Sequence, residues 1–175
     1  MKMRSLGGSK FWALVVDDYS DYMWGRFFQK KSDLSRNIIP ILKKLYVKGM
    51  PVKYIRCDNA GENVILEREC VNAGLDITFE YTAPHNPQFH GRVERKFPTF
   101  YNKMRSTFIH AGIRQNDTHR YWSKCANTLI KIENLLVRPR DITCACEKID
   151  GKMPPYSQNL RILVKWQSYR IMERR

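Results

Sequence analysis

Residues 54–96 read YIRCDNAGENVILERECVNAGLDITFEYTAPHNPQFHGRVERK, and this stretch decides the fold. An apolar run containing Val52, Tyr54 and Ile55 ends at an acid, Asp58. A second acid, Glu94, stands just inside a long helical pattern that follows the turn-rich His85-Asn86-Pro87-Gln88. Thirty-five residues separate the two acids. A carboxylate leaving a strand and another opening a helix can share a hard divalent cation, because such ions seek oxygen donors. An isolated acid pair is more often two solvated surface groups, so the surrounding residues have to carry the argument.

Those residues are informative. Cys57-Asp58-Asn59-Ala60-Gly61-Glu62-Asn63, followed by Tyr81-Thr82-Ala83-Pro84-His85-Asn86-Pro87-Gln88-Phe89-His90-Gly91-Arg92-Val93-Glu94-Arg95-Lys96, resembles the second half of a retroviral-type integrase core. The version closest to it is that of copia-type LTR retrotransposons. The resemblance implies an RNase H-like, three-layer α/β fold with a mixed sheet. It also implies an Asp, Asp, Glu site that uses Mg²⁺ or Mn²⁺ to cut and join DNA. Asp58 and Glu94 match the second Asp and the Glu of that site, and their spacing is the family's own. Residues 5–20 are similar to the family's hairpin, in which a Gly-rich turn precedes a strand ending in Asp-Asp-Tyr-Ser, here Asp17-Asp18-Tyr19-Ser20. Tyr121-Trp122 and Asn127 resemble its later helix, and Gly151-Lys152-Met153-Pro154 with Asn159-Leu160-Arg161 resemble the segment just past the core.

The family carries its first Asp on a strand before the hairpin, next to a Gly-Pro-Met-like step. Met1 falls at that Met. The resemblance therefore leads us to expect a core truncated at its N-terminus, lacking the central strand and the first acid, and catalytically incomplete. Asp17 and Asp18 match hairpin-end acids that are not metal ligands in the family, so they are expected to form a solvated turn. Pro98 inside the long helix and Asp21, where the family commonly has Arg, are further departures. The family's upstream zinc-binding His/Cys module is also absent from these residues.

Composition agrees with a globular, DNA-contacting domain. The 175 residues suffice for one domain, with 43% hydrophobic and 12% aromatic residues. Lys and Arg number 31 against 17 acids, a net charge of +14 that suits a polyanion. Five scattered cysteines and a polar opening segment predict free thiols and an intracellular setting, with the nucleus expected for an integration function. Cys144-Ala-Cys146 has no second ligand pair at zinc spacing. No apolar run reaches membrane-spanning length, and no small-molecule cofactor is expected.

The periodicities predict β-β-α-β-α-β-α-α, an α/β order. Strands are expected over 11–17, 22–29, 51–57 and 76–81. Helices are expected over 33–48 (capped by Ser32 and disturbed by Pro40), 62–73, 92–111 and 121–137. Residues 82–91 read as a loop by their Pro, Asn and Gly content. Trp12, Trp24 and Trp122 are expected in the core. Residues 1–140 are read as the core and 141–175 as a basic extension, with Trp166 and Tyr169 among its cations.

DNA is the expected partner. Asn59 follows Asp58, and Asn86, Gln88, His90 and Arg92 lead into Glu94. By resemblance this segment approaches the DNA end, where amides and an imidazole can touch bases or sugars. Arg95, Lys96 and Lys103 continue along the helix and can neutralise phosphates. A homo-oligomer is implied by resemblance. Two rivals stand beside the integrase reading: a non-enzymatic nucleic-acid or protein-binding module on the same scaffold, and a general RNase H-like nuclease. The Pro-His-Asn-Pro-Gln segment and the acid spacing disfavour the last.

Overall fold

Strand β1 (Phe11–Val16) and strand β2 (Met23–Phe28) are rich in aromatic and β-branched residues, and they pair as a hairpin in a computed structural model of the chain. Lys10 N–H donates to the Phe28 carbonyl and Asp17 N–H to the Tyr22 carbonyl, both at 2.9 Å, so the strands run antiparallel. Phe11 stacks on Phe28 with centroids 6.2 Å apart, and Trp12 on Phe27 at 5.7 Å. The structure describes residues 3–82, 87–139 and 141–159; of these, the side chains of 87–92 and 159 are not described. The basic tail over 160–175 and Asn86 therefore lie outside the described residues. Two compact units are distinguished, Met1–Ala13 with Arg26–Lys96, and Leu14–Gly25 with Phe97–Arg175.

In the first unit, helix α1 (Leu34–Val47) turns Ile38, Ile41, Leu42 and Leu45 inward at helical spacing. Ser32 is not its cap. A 3-10 turn over Lys31–Asp33 precedes the helix, Asp33 stands at its N-cap, and the Asp33 carboxylate reaches back to accept the Lys30 N–H at 3.1 Å. Gly49 at φ +74° and Gly74 at φ +71° take the left-handed turn that ends α1 and the next helix, α2 (Gly61–Asn72). Strand β3 (Tyr54–Asp58) leads into α2, and α2 crosses over to strand β4 (Thr78–Thr82). β3 and β4 are parallel, in register from Tyr54↔Thr78 to Asp58↔Thr82, as a crossover helix requires. Leu66 and Cys70, one turn apart on α2, are buried with Leu75.

Pro40 neither breaks nor delays α1, which runs through it unbroken. It is exposed, so its replacement sacrifices no burial, while an interior proline leaves the carbonyl four residues back without its ladder partner. Pro40→Ala is expected to restore the bond to Arg36 and raise stability by about 1–3 kcal/mol, read as a higher urea midpoint at unchanged slope. A lowered midpoint would contradict this account.

Helix α3 (Pro87–His110) enters the second unit at Phe97, and that unit is built on this part of α3, helix α4 (Thr118–Leu135) and the short helix α5 (Ala145–Asp150). Phe100, Met104 and Phe108 form the buried stripe of α3 within this unit. On α4 Trp122, Ala126, Ile130 and Asn134 are buried at four-residue steps, with Ser123 and Cys125 buried beside them. Leu136, inside the helix expected over 121–137, lies beyond the observed helix and is exposed. Trp12 and Trp24 are half-buried; of the three tryptophans expected in the core, Trp122 alone is fully buried. Residues 145–150 pack against α4, and Cys144, Ala145 and Cys146 are buried there.

Among the described residues the strands form two two-stranded sheets, one antiparallel and one parallel, where one mixed sheet was expected. The loop expected over 82–91 ends earlier than its composition suggests. Pro87 opens α3, because a proline at the first helical position lacks only an N–H that would have no intrahelical acceptor anyway. Gln88, His90 and Arg92 therefore lie in helix, not loop. Pro98 sits inside α3 without ending it.

Candidate functional site

Asp58 is the last residue of β3, and its carboxylate faces solvent. It stands at the carboxyl end of a parallel strand pair, the edge where open α/β sheets commonly place their ligands. Its register partner Thr82 ends β4, and five residues later α3 begins at Pro87. Five residues of chain span at most about 18 Å, so the start of α3 is tied to the same edge that presents Asp58. Glu94, exposed on α3, belongs to the same compact unit as Asp58.

The surroundings of Asp58 are polar and organised. Asn63, in the first turn of α2, donates its amide to the Asp58 carboxylate at 2.6 Å and to the Asp58 carbonyl at 3.1 Å. Beside it Lys31 pairs with Glu62 at 2.8 Å. The hydrogen bond to Glu62 raises the Lys31 ammonium's pKa, and the same bond holds the Glu62 carboxyl below its ordinary value. Behind Asp58, the Tyr81 hydroxyl donates to Glu67 at 2.6 Å, and Arg56 forks onto Glu80 across the β3–β4 pair at 2.9 Å. Asn59 is exposed directly after Asp58.

Of the two hairpin-end acids, Asp17 lies at the turn expected there. The Asp17 carboxylate accepts from the Ser20 N–H at 2.7 Å and from the Ser20 hydroxyl at 2.6 Å, closing the turn. Ser20 is buried, and its oxygen accepts the Tyr22 N–H at 3.1 Å. Asp21 takes the left-handed conformation at φ +61°, which Asp tolerates better than most residues, and its side chain pairs with Arg138. The acid in the place of the family's arginine thus has a cation of its own.

Among the residues expected on DNA, Arg95 is exposed and Lys96 half-buried on α3, while Lys103 forms an ion pair with Glu133 of α4. Sequence reading missed Asn63, because an asparagine in a first helical turn carries no signal of which acceptor it will reach. Among the described residues, no group of three or more His, Cys, Asp or Glu is gathered as a metal-binding cluster. None of the described helices is long and apolar enough to cross a membrane.

Cys57, next to Asp58, has its thiol pushed up to about 11, chiefly by burial and then by the Asp58 charge; burial pushes Cys125 to about 11 as well. An unfolded thiol ionises near about 8.5, so the fold favours the neutral form. That contribution to stability is complete below about pH 8.5 and is lost as the pH climbs towards 11. Thiolate is the reactive species, so at pH 8 labelling of these two cysteines by a disulfide reagent is expected to be on the order of a hundredfold slower in the folded chain than in urea. Equal rates in the two states would show that burial does not control these thiols.

No family model matches the chain. The structure is similar to a chain of the simian T-cell lymphotropic virus intasome in complex with the PP2A regulatory subunit B56 gamma. That match has a TM-score of 0.57 at 17% identity, over 81% of this chain and 49% of that one. It is also similar to the HTLV-2 integrase catalytic core domain in complex with magnesium, in a trimeric form, with a TM-score of 0.52 at 18% identity, over 75% of this chain and 80% of that one. The fold is accordingly that of an integrase catalytic core, which is RNase H-like. In sequence the chain is 27% identical over 139 residues to the retrovirus-related Pol polyprotein from transposon TNT 1-94 of Nicotiana tabacum. The match spans 77% of this chain and about a tenth of the polyprotein.

Proposed function

We propose that this chain serves DNA integration as a DNA-binding integrase core of the copia kind, with Asp58 and Glu94 as its ligands for Mg²⁺ or Mn²⁺. The observation that carries the reading is Asp58 at the carboxyl end of the parallel β3–β4 pair, in a fold shared with integrase catalytic cores. Two exposed carboxylates are the right donor type, since Mg²⁺ is commonly held by one or two carboxylates together with substrate phosphates. When bound, such an ion neutralises charge at the phosphorus under attack. The chain's own residues do the rest: Asn59, Asn86, Gln88, His90 and Arg92 meet the DNA end, and Arg95, Lys96 and Lys103 hold its phosphates. In this reading residues 1–140 are the core and 141–175 a basic extension that adds to DNA affinity. Copies of the chain pair on DNA in the nucleus.

A second reading has a specific observation behind it. The Asp17 carboxylate is committed to closing its own turn on Ser20, so it is a poor third ligand beside Asp58 and Glu94. The 175 residues alone are accordingly proposed to bind DNA without cutting or joining it, as a binding module does. Fluorescence anisotropy of a labelled duplex tests the first half: saturable binding competed by unlabelled duplex is expected, and none at 50 mM salt would overturn it. Incubating the purified chain with Mn²⁺ and duplex DNA tests the second half, where nicked or joined products would overturn the binding-only reading.

A further inference from the structure

We infer that Asn63 is a positioning residue for the Asp58 carboxylate, setting its orientation towards a divalent cation. The inference rests on the reading of Asp58 as a cation ligand. Helix α2 starts without side-chain help, since its N-cap is Ala60 and no cap hydrogen bond is made there. Asn63, three residues on, reaches back past the cap to the end of β3. Its amide lies 2.6 Å from the Asp58 carboxylate and 3.1 Å from the Asp58 carbonyl. Both partners are pure acceptors, so the amide nitrogen faces them and each of its two hydrogens has an oxygen to meet. One hydrogen bond anchors to the main chain and the other to the side chain, which together restrict how the carboxylate turns.

The choice of an amide matters electrostatically. A carboxylate offers about four lone-pair sites, so one neutral donor fixes its direction and leaves acceptor capacity for a cation. A Lys or Arg in the same place would fix it equally well but repel the ion. The nearby ammonium of Lys31 is instead engaged by Glu62 at 2.8 Å. Groups that hold a metal's ligands through hydrogen bonds typically change metal affinity by about 10–100-fold when removed.

The test uses the full chain and Mn²⁺ as the probe, read by paramagnetic broadening of backbone amide signals over residues 57–59. In the unaltered protein broadening is expected to centre on Asp58, and Asp58→Asn is expected to abolish it. Asn63→Leu keeps the branched skeleton and improves helix propensity, and Asn63→Ala is a second variant; both are expected to need on the order of tenfold more Mn²⁺ for half-broadening. Thermal unfolding without metal is followed in parallel. If Asp58→Asn abolishes broadening while both Asn63 variants keep the unaltered midpoint, whatever their melting temperatures, Asn63 serves only the helix start and the inference falls alone. If broadening never centres on Asp58, or survives Asp58→Asn, the cation-ligand reading itself falls and takes the inference with it.

Discussion

Raising the salt from 50 to 200 mM is expected to weaken binding of this chain to duplex DNA on the order of a hundredfold. The physical source is counterion release: each phosphate neutralised by a Lys or Arg frees condensed cations, and log affinity then falls linearly with log salt. With about four phosphates engaged, the slope is roughly −3.6, and a fourfold rise in salt produces that loss. The net charge of +14 makes a contact set of this size reasonable. Arg95→Ala is expected to lower affinity for all duplex sequences alike and to reduce the slope by about 1. Lys103→Ala is expected to change the slope by less, because Glu133 already shares its charge. Anisotropy titrations at four salt concentrations would measure both, and a flat dependence would rule out phosphate contact as the basis of binding.

Asn134→Leu is expected to destabilise the fold by roughly 2–5 kcal/mol, since it strands two buried backbone groups. Asn134 is 2% exposed, on the inner face of α4. Its side-chain oxygen accepts the Met23 N–H at 2.9 Å, and its amide donates to the Met23 carbonyl at 2.8 Å. The side chain thus pairs with β2 as a neighbouring strand would, satisfying a donor and an acceptor that the hairpin leaves over. Leucine has the same branched skeleton but neither polar group, so the cost comes from lost polarity and the bulk of two methyls, not from a cavity. Thermal unfolding followed by circular dichroism should show a drop on the order of 10 °C. Asn127→Leu, on the exposed face of the same helix, serves as the control and is expected to change little. A loss below about 1 kcal/mol for Asn134→Leu would mean that water or a rearranged strand satisfies Met23 instead.

How far the sequence could be read depended on whether the information was local. Asp58 at a strand end was legible because the apolar run, the polar Asn-Ala-Gly that follows and the start of α2 all lie within a few residues. Helix α1 was legible for the same reason, since a period of 3.6 needs no partner to be recognised. The Asp17 turn was legible because Asp and Ser three residues apart close turns on their own backbone. The start of α3 was not, because proline marks both loops and first helical positions, and composition alone does not separate the two.

What the sequence by itself determined is the alternation of strands and helices and the place of the two acids within it. Only the tertiary structure decided which polar side chains serve the fold. Asn134 reads as a solvent-facing helical residue until β2 presents Met23 to it, across 111 residues of chain. Asn63 reads as an ordinary first-turn residue until α2 turns back over the end of β3. Hydrophobic period is a property of one segment, but satisfaction of a buried donor or acceptor is a property of two, and the second appears only when the chain has brought them together.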